Sequence, residues 1–247
     1  VSLFDKLRFG GKARDEKRIQ KALTLVKNSK AIREDRVAAI DYFKDLGDMQ
    51  VAVPALLQRF EYSIEHGIND TREKESAMEG IVAFGNDALP LVKQHLITTS
   101  RIAWPIKILK ALGHEEQVIE ILKSALDFGD VAFDQMKVDK NYDILCYLRD
   151  YKLPGFIDRL AHFLSDPDER VRFACAEVLV DQDDPKVPEL LERFIGDGSP
   201  DNTRIRQAVV EAFLRHQWPL KHPERFADGR VVEGLFVNAQ NRLEIRV

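Results

Sequence analysis

Apolar residues recur along most of the chain at three- and four-residue steps, the signature of helices with one buried face. Ile19, Ala22, Leu23 and Val26 mark a helix over 12–28, and a second over 34–46 stops at Gly47. Pro54 opens the next, to Phe60, since proline is well placed in a first turn. A polar connection over 61–69 leads to a helix over 70–84 that ends at Gly85, and others follow over 88–97, 102–112 (ending at Gly113) and 115–126. Each of these glycines follows a large apolar residue, as expected where a helix closes in a left-handed cap. An irregular acidic stretch, 127–139, precedes helices over 140–149, 153–164, 168–180, 186–195 and 202–216.

Taken in pairs, these elements form about six hairpins, over 12–46, 50–84, 87–112, 115–149, 153–180 and 185–216, a repeat too small to bury its own apolar face and therefore bound to stack. Two ends fall outside the pattern. At 1–11, Leu3, Phe4 and Leu7 make a short amphipathic turn stopping at Gly10-Gly11, a cap for the first hairpin or an anchor for a membrane surface or partner. At 217–247, Leu235-Phe-Val-Asn, the polar Ala239-Gln-Asn241 and Arg242-Leu-Glu-Ile-Arg246 alternate with period two about a turn, which predicts a small β-hairpin. That hairpin packs on the last helices as a cap, or offers its edge to a partner strand.

The stretch Asp166-Pro-Asp-Glu-Arg-Val171-Arg172-Phe-Ala174-Cys-Ala-Glu-Val-Leu179, followed by Val187-Pro-Glu-Leu-Leu191, resembles the HEAT-type repeat, and its short bacterial form known also from phycobilin lyases. Ser199 to Phe213 repeats the pattern with Ile205-Arg206 in place of Val171-Arg172, and Arg36-Val37-Ala38-Ala39 with Leu46-Gly47 is a partial copy. The resemblance implies an all-α fold, a right-handed α-solenoid of stacked helical hairpins over 12–216 with the β-hairpin beyond it. First helices would line the convex side and second helices the concave side. Asp166 and Arg172 would tie adjacent units together.

Composition agrees with a folded helical protein: 45% apolar and 32% charged residues, with 10 Pro and 13 Gly. No apolar run is long enough to span a bilayer and no signal peptide is recognisable, so a cytoplasmic location is expected. The two cysteines, Cys146 and Cys175, lie within apolar helical pattern and read as buried thiols. Residues 1–36 hold eleven Lys or Arg and five Asp or Glu, a balance of +6, which leaves 26 basic and 36 acidic residues, −10, for the remainder. A basic end on an acidic body steers acidic partners but lacks the broad basic face that duplex DNA demands.

Catalytic constellations are not found. His66, His95, His114, His162, His216 and His222 form no ligand pair with i, i+4 spacing, so no metal is expected. Phe9-Gly-Gly-Lys12 lacks the strand of a phosphate loop, and no cofactor motif appears. The side chains expected on the concave face are Trp104, Lys107, Lys110, Arg170, Glu177, Arg204, Gln207 and Glu211, mixed in sign. Such a surface suits a polypeptide better than a phosphate backbone. Trp104 reads either as core or as an aromatic anchor. Arg59, Arg159 and Arg193 each follow a proline by five residues and read as helix-surface ion pairs or an acid-binding ladder. The leading function is a non-catalytic scaffold for a protein partner. The alternatives are nucleic-acid binding, as in HEAT-like alkylpurine DNA glycosylases, and cofactor handling akin to the phycobilin lyases.

Overall fold

The computed structural model describes residues 3–129, 134–226, 230–232 and 234–245, with side chains from Asp15 onward other than those of 230 and 232. The fold is all-α, a succession of helical hairpins with a small antiparallel sheet near the C-terminal end. The chain divides into two units, Val1–Ala125 and Leu126–Val247.

Unit 1 contains α1 (Leu3–Lys27), α2 (Arg33–Asp45), α3 (Met49–Leu57), α4 (Gly67–Val82), α5 (Leu89–Thr98), α6 (Ala103–Ala111) and α7 (Val118–Ala125). Second helices α2, α4 and α6 pack side by side in one layer, and first helices α1, α3, α5 and α7 in the other. Between them lie Val26, Ile40, Phe43, Leu56, Phe60, Ile81, Leu96 and Leu109, each at most 1% exposed. Burying each such side chain contributes about 1.5–3 kcal/mol. Gly47, Gly85 and Gly113 have φ of 70°, 62° and 80°, the left-handed backbone that the sequence assigned to them.

Unit 2 contains α8 (Gln135–Leu148), α9 (Ile157–Leu160), α10 (Glu169–Val180), α11 (Val187–Glu192) and α12 (Thr203–His216). Here α8, α10 and α12 form the second-helix layer, and α9 and α11 pack beneath α10. Strands β1 (Arg230–Val232), β2 (Leu235–Val237) and β3 (Leu243–Ile245) form a sheet in that order, antiparallel throughout. Its β3 edge packs on α12, and Glu192, 1% exposed, accepts the backbone N–H groups of Lys221 and His222, both at 2.7 Å.

Several boundaries differ from expectation. Helix α1 runs unbroken from Leu3 through Gly10-Gly11, so residues 3–9 form no separate turn; glycine lowers helix stability by about 1 kcal/mol without forbidding it. The side chains that would decide a capping or anchoring role there lie outside the described residues. Pro54 sits inside α3 rather than at its start, because Asp48 caps the helix earlier by accepting from Gln50 N at 3.1 Å. Asp134 likewise caps α8 through Met136 N at 2.9 Å, which moves its start ahead of Lys140. The expected 153–164 helix is only α9 followed by a 3-10 turn, Ala161–Ser165, since Leu153-Pro154-Gly155 is a turn with Gly155 at φ 74°. The C-terminal hairpin gains a third strand, β1, which a three-residue segment beside a bulge does not announce in sequence.

Candidate functional site

Helix α10 is covered by α8 and α12 on its flanks and by α9 and α11 beneath. Val171, Ala174, Cys175, Ala176, Val178 and Leu179 are accordingly buried. The partly exposed positions are Glu169 and Arg172 near its start and a stripe of Arg170, Phe173 and Glu177 at i, i+3 and i+7. The same spacing gives Arg204, Gln207 and Glu211 on α12, while Tyr142 and Cys146 on α8 and Arg149 at its C-terminal cap fall at i, i+4 and i+7.

These stripes are cross-linked in a repeating way. Arg170 of α10 meets two groups of α8: Asp139 at 3.1 Å and the Tyr142 ring at 5.6 Å from its centroid. Arg204 of α12 meets two groups of α10: Glu169 at 3.8 Å and the Phe173 ring at 4.0 Å. Arg149 lies 3.7 Å from Glu177, and Gln207 donates to Glu211 at 3.0 Å. With Arg170 and Arg204 side chains 42% and 59% exposed, these pairs contribute only about 0–1 kcal/mol each to stability. Their effect is orientational: Arg204 lies between a carboxylate and a ring, and Arg170 between the Tyr142 ring and two carboxylates, Asp139 and its own N-cap Asp168 at 3.1 Å, each cation presented to solvent.

On unit 1, α6 carries Trp104, Lys107 and Lys110. Trp104 is half-buried; its ring stacks on Phe60, centroids 5.5 Å apart, and Lys107 Nζ lies 4.2 Å from its centroid. Lys110 pairs with Glu115 at 2.9 Å. Trp104 is thus packed against core, with Lys107 exposed above it.

Arg172 donates to the carbonyls of Asp166, at 2.8 Å, and Pro167, and reaches Asn202 Oδ1 at 3.2 Å, so it bridges the turns that open α10 and α12. The Asp166 carboxylate accepts from Asp168 N at 2.9 Å instead of meeting Arg172. Arg206 to Asp197 O and Arg36 to Ala31 O repeat the arrangement. The three arginines that follow prolines are not equivalent. Arg59 is fully buried and ion-paired, Arg159 lies over the Phe128 and Phe156 rings, and Arg193 donates to Leu164 O and Ser165 Oγ. Different side chains face these positions, so the shared spacing yields no ladder.

A cluster beneath the outer face of unit 1 escaped the sequence reading. Glu73 of α4 accepts from Arg36 Nε and Nη2 at 3.0 and 2.9 Å and from Arg59 Nε at 2.9 Å. Asp70 accepts from Arg59 Nη2 and Lys74 Nζ, both at 2.7 Å, and from Ile64 N. Burial pushes the Glu73 carboxyl up, but the hydrogen bonds and charges of Arg36 and Arg59 outweigh it and hold the group below the usual range. Asp70 behaves likewise, with Lys74 and Arg59 overcoming burial. The signal was present: Asp70, Glu73 and Lys74 continue the stripe of Ala77, Gly80 and Ile81 with helical spacing, which puts charge on an inward face.

A cavity of about 410 Å³ in unit 2 is lined by Asp127, Asp134, Lys137, Asn141, His162, Ser165 and Asp166, among others. Lys137 pairs with Asp127 at 2.7 Å, and Ser165 Oγ accepts from Arg193, so neither is an activated nucleophile. Among the described residues no group of three His, Cys, Asp or Glu is placed to hold a metal ion, and no helix is long and apolar enough to cross a membrane. Burial pushes the Cys175 thiol far above the usual range, and it donates to Leu160 O at 3.1 Å.

No curated protein and no solved structure gives a significant match to the chain. Residues 143–213, from within α8 to near the end of α12, match the family described as HEAT repeats, and this segment contains both bracketed arginines.

Proposed function

We propose that the chain is a non-catalytic interaction scaffold that binds a polypeptide on the second-helix face of its repeat units. Its contact residues are Arg170, Glu177, Arg204, Gln207 and Glu211 on unit 2, with Lys107, Lys110 and the edge of Trp104 on unit 1. The observation that carries this reading is the pair of arginines each fixed between an acid and a ring of the preceding helix. Pre-ordered planar cations beside aromatic edges lose little freedom on binding, and such groups dominate protein interfaces. The alternation of charge along the stripes favours a polypeptide with both signs over a uniform polyanion.

The test is affinity capture from a lysate of the source cell with the wild-type chain, R170E/R204E and K107E/K110E, at about 50 and 200 mM salt. Expected is a set of polypeptides that the charge reversals deplete. Undiminished capture would overturn the choice of surface, and capture of nucleic acid that collapses at the higher salt would overturn the class of partner.

A further inference from the structure

The second-helix layer of unit 1 differs from that of unit 2 in one respect that bears on the partner. Between α2 and α4 lies a cavity of about 150 Å³ lined by Arg33, Val37 and Ile40 from α2 and Arg72, Glu73 and Ser76 from α4. Arg33 and Arg72 are exposed, and neither makes a hydrogen bond, ion pair or ring contact with a described residue. In unit 2, by contrast, Arg149, Arg170 and Arg204 are each matched to a carboxylate.

This cavity has a net positive charge behind its lining. Glu73 lines it, but both its oxygens are taken by Arg36 and Arg59. The buried cluster sets three cations, Arg36, Arg59 and Lys74, against two carboxylates, Asp70 and Glu73. One positive charge remains in excess where solvent screens it poorly, and two further guanidinium groups stand over it. An anion entering here gains from all three.

The surroundings select the kind of anion. Val37 and Ile40 give the cavity an apolar wall, and exposed Glu34 and Asp41 on α2 and Glu75 and Glu79 on α4 stand beside the lining positions of their helices, Glu79 paired with Lys44. Flanking acids repel a polyanion with charges every few ångströms but tolerate a single carboxylate between the arginines. We propose that this groove docks an acidic residue of a peptide partner, with the carboxylate clasped between Arg33 and Arg72 and an adjoining apolar side chain on Val37. The proposal rests on the reading of the chain as a polypeptide-binding scaffold, and names the class of segment that unit 1 takes.

The test is fluorescence anisotropy on the full chain with a fluorescein-labelled peptide bearing Leu-Glu-Glu-Leu between Gly-Ser arms, its Leu-Gln-Gln-Leu twin, and a labelled single-stranded oligonucleotide. The Glu peptide is expected to bind about tenfold tighter than its twin, the value of one charge-assisted contact. R33Q/R72Q should erase that difference, whereas K21Q/K27Q, which removes two exposed charges of unit 1 elsewhere, should preserve it. Equal binding of the twins, no binding of either, an unaffected R33Q/R72Q variant, or preference for the oligonucleotide would each overturn the proposal. If the peptide fails while R170E/R204E still strips captured polypeptides, this inference falls and the scaffold reading stands. If both fail, both are wrong.

Discussion

Arg36 donates to both oxygens of Glu73, from Nε at 3.0 Å and Nη2 at 2.9 Å, joining α2 to α4 beneath the outer surface of unit 1. The side chains are 5% and 2% exposed, so the pair has left water almost completely. Such pairs contribute little net stability, because desolvation offsets attraction, but removing one partner strands the other. Glu73→Gln removes the carboxylate paired with Arg36 and one of the two paired with Arg59, and is expected to cost about 3–5 kcal/mol. Hydrogen exchange over 33–45 and 67–82 would register it as lost protection; unchanged protection would mean that the cluster is not a brace.

The same carboxylates set an acid limit. Glu73 and Asp70 are held below their ordinary ranges by hydrogen bonds that outweigh burial. Their folded-state values lie below the unfolded ones, so their contribution is complete above the unfolded range, about 3.9–4.3, and is lost as pH falls through the folded values. Protection of α2 and α4 should therefore hold from pH 7 to about 5 and fall below about 4. Loss on raising the pH through neutrality would contradict this sign.

The thiols should separate by burial. Cys175 is fully buried with its thiol pushed far up, whereas Cys146 is half-buried and raised less, by burial and despite Tyr142. In native protein at pH 8 a thiol reagent is expected to label Cys146 slowly and Cys175 only after denaturation. Equal rates for the two would contradict the packing of α10.

Glu192 fixes the start of the C-terminal extension through two backbone N–H groups. Glu192→Ala should leave those donors unmatched at a cost of about 1–3 kcal/mol each. Exchange should rise in 218–225 and 235–245 with α8 unaffected. A uniform loss across unit 2 would instead make Glu192 a general core determinant.

Much of the architecture was legible because stacking repeats leave a regular trace. The spacing of Val171, Ala174 and Val178 and the glycine caps at 47, 85 and 113 located helices and ends from local rules alone. Boundaries failed where a distant or non-periodic partner decided them: Asp48 and Asp134 as caps, the turn at Gly155, and the strand β1. The candidate surface was legible only as a stripe of exposed positions. That Arg170 would meet Tyr142 and Arg204 would meet Phe173 depends on how α8, α10 and α12 are offset, which no single helix encodes. The buried cluster went unseen because Asp70, Glu73 and Lys74 look like a solvated face until the apolar stripe is extended through them.

The scaffold reading is tested most directly by a photo-cross-linking amino acid placed at Gln207, on the open stripe of α12, and separately at Asp158, on the first-helix side of the same unit. Irradiation in the source cell, followed by identification of the adducts, is expected to give polypeptide partners from position 207 and none of them from 158. Equal capture at both positions, or nucleic acid in place of polypeptide at 207, would contradict it.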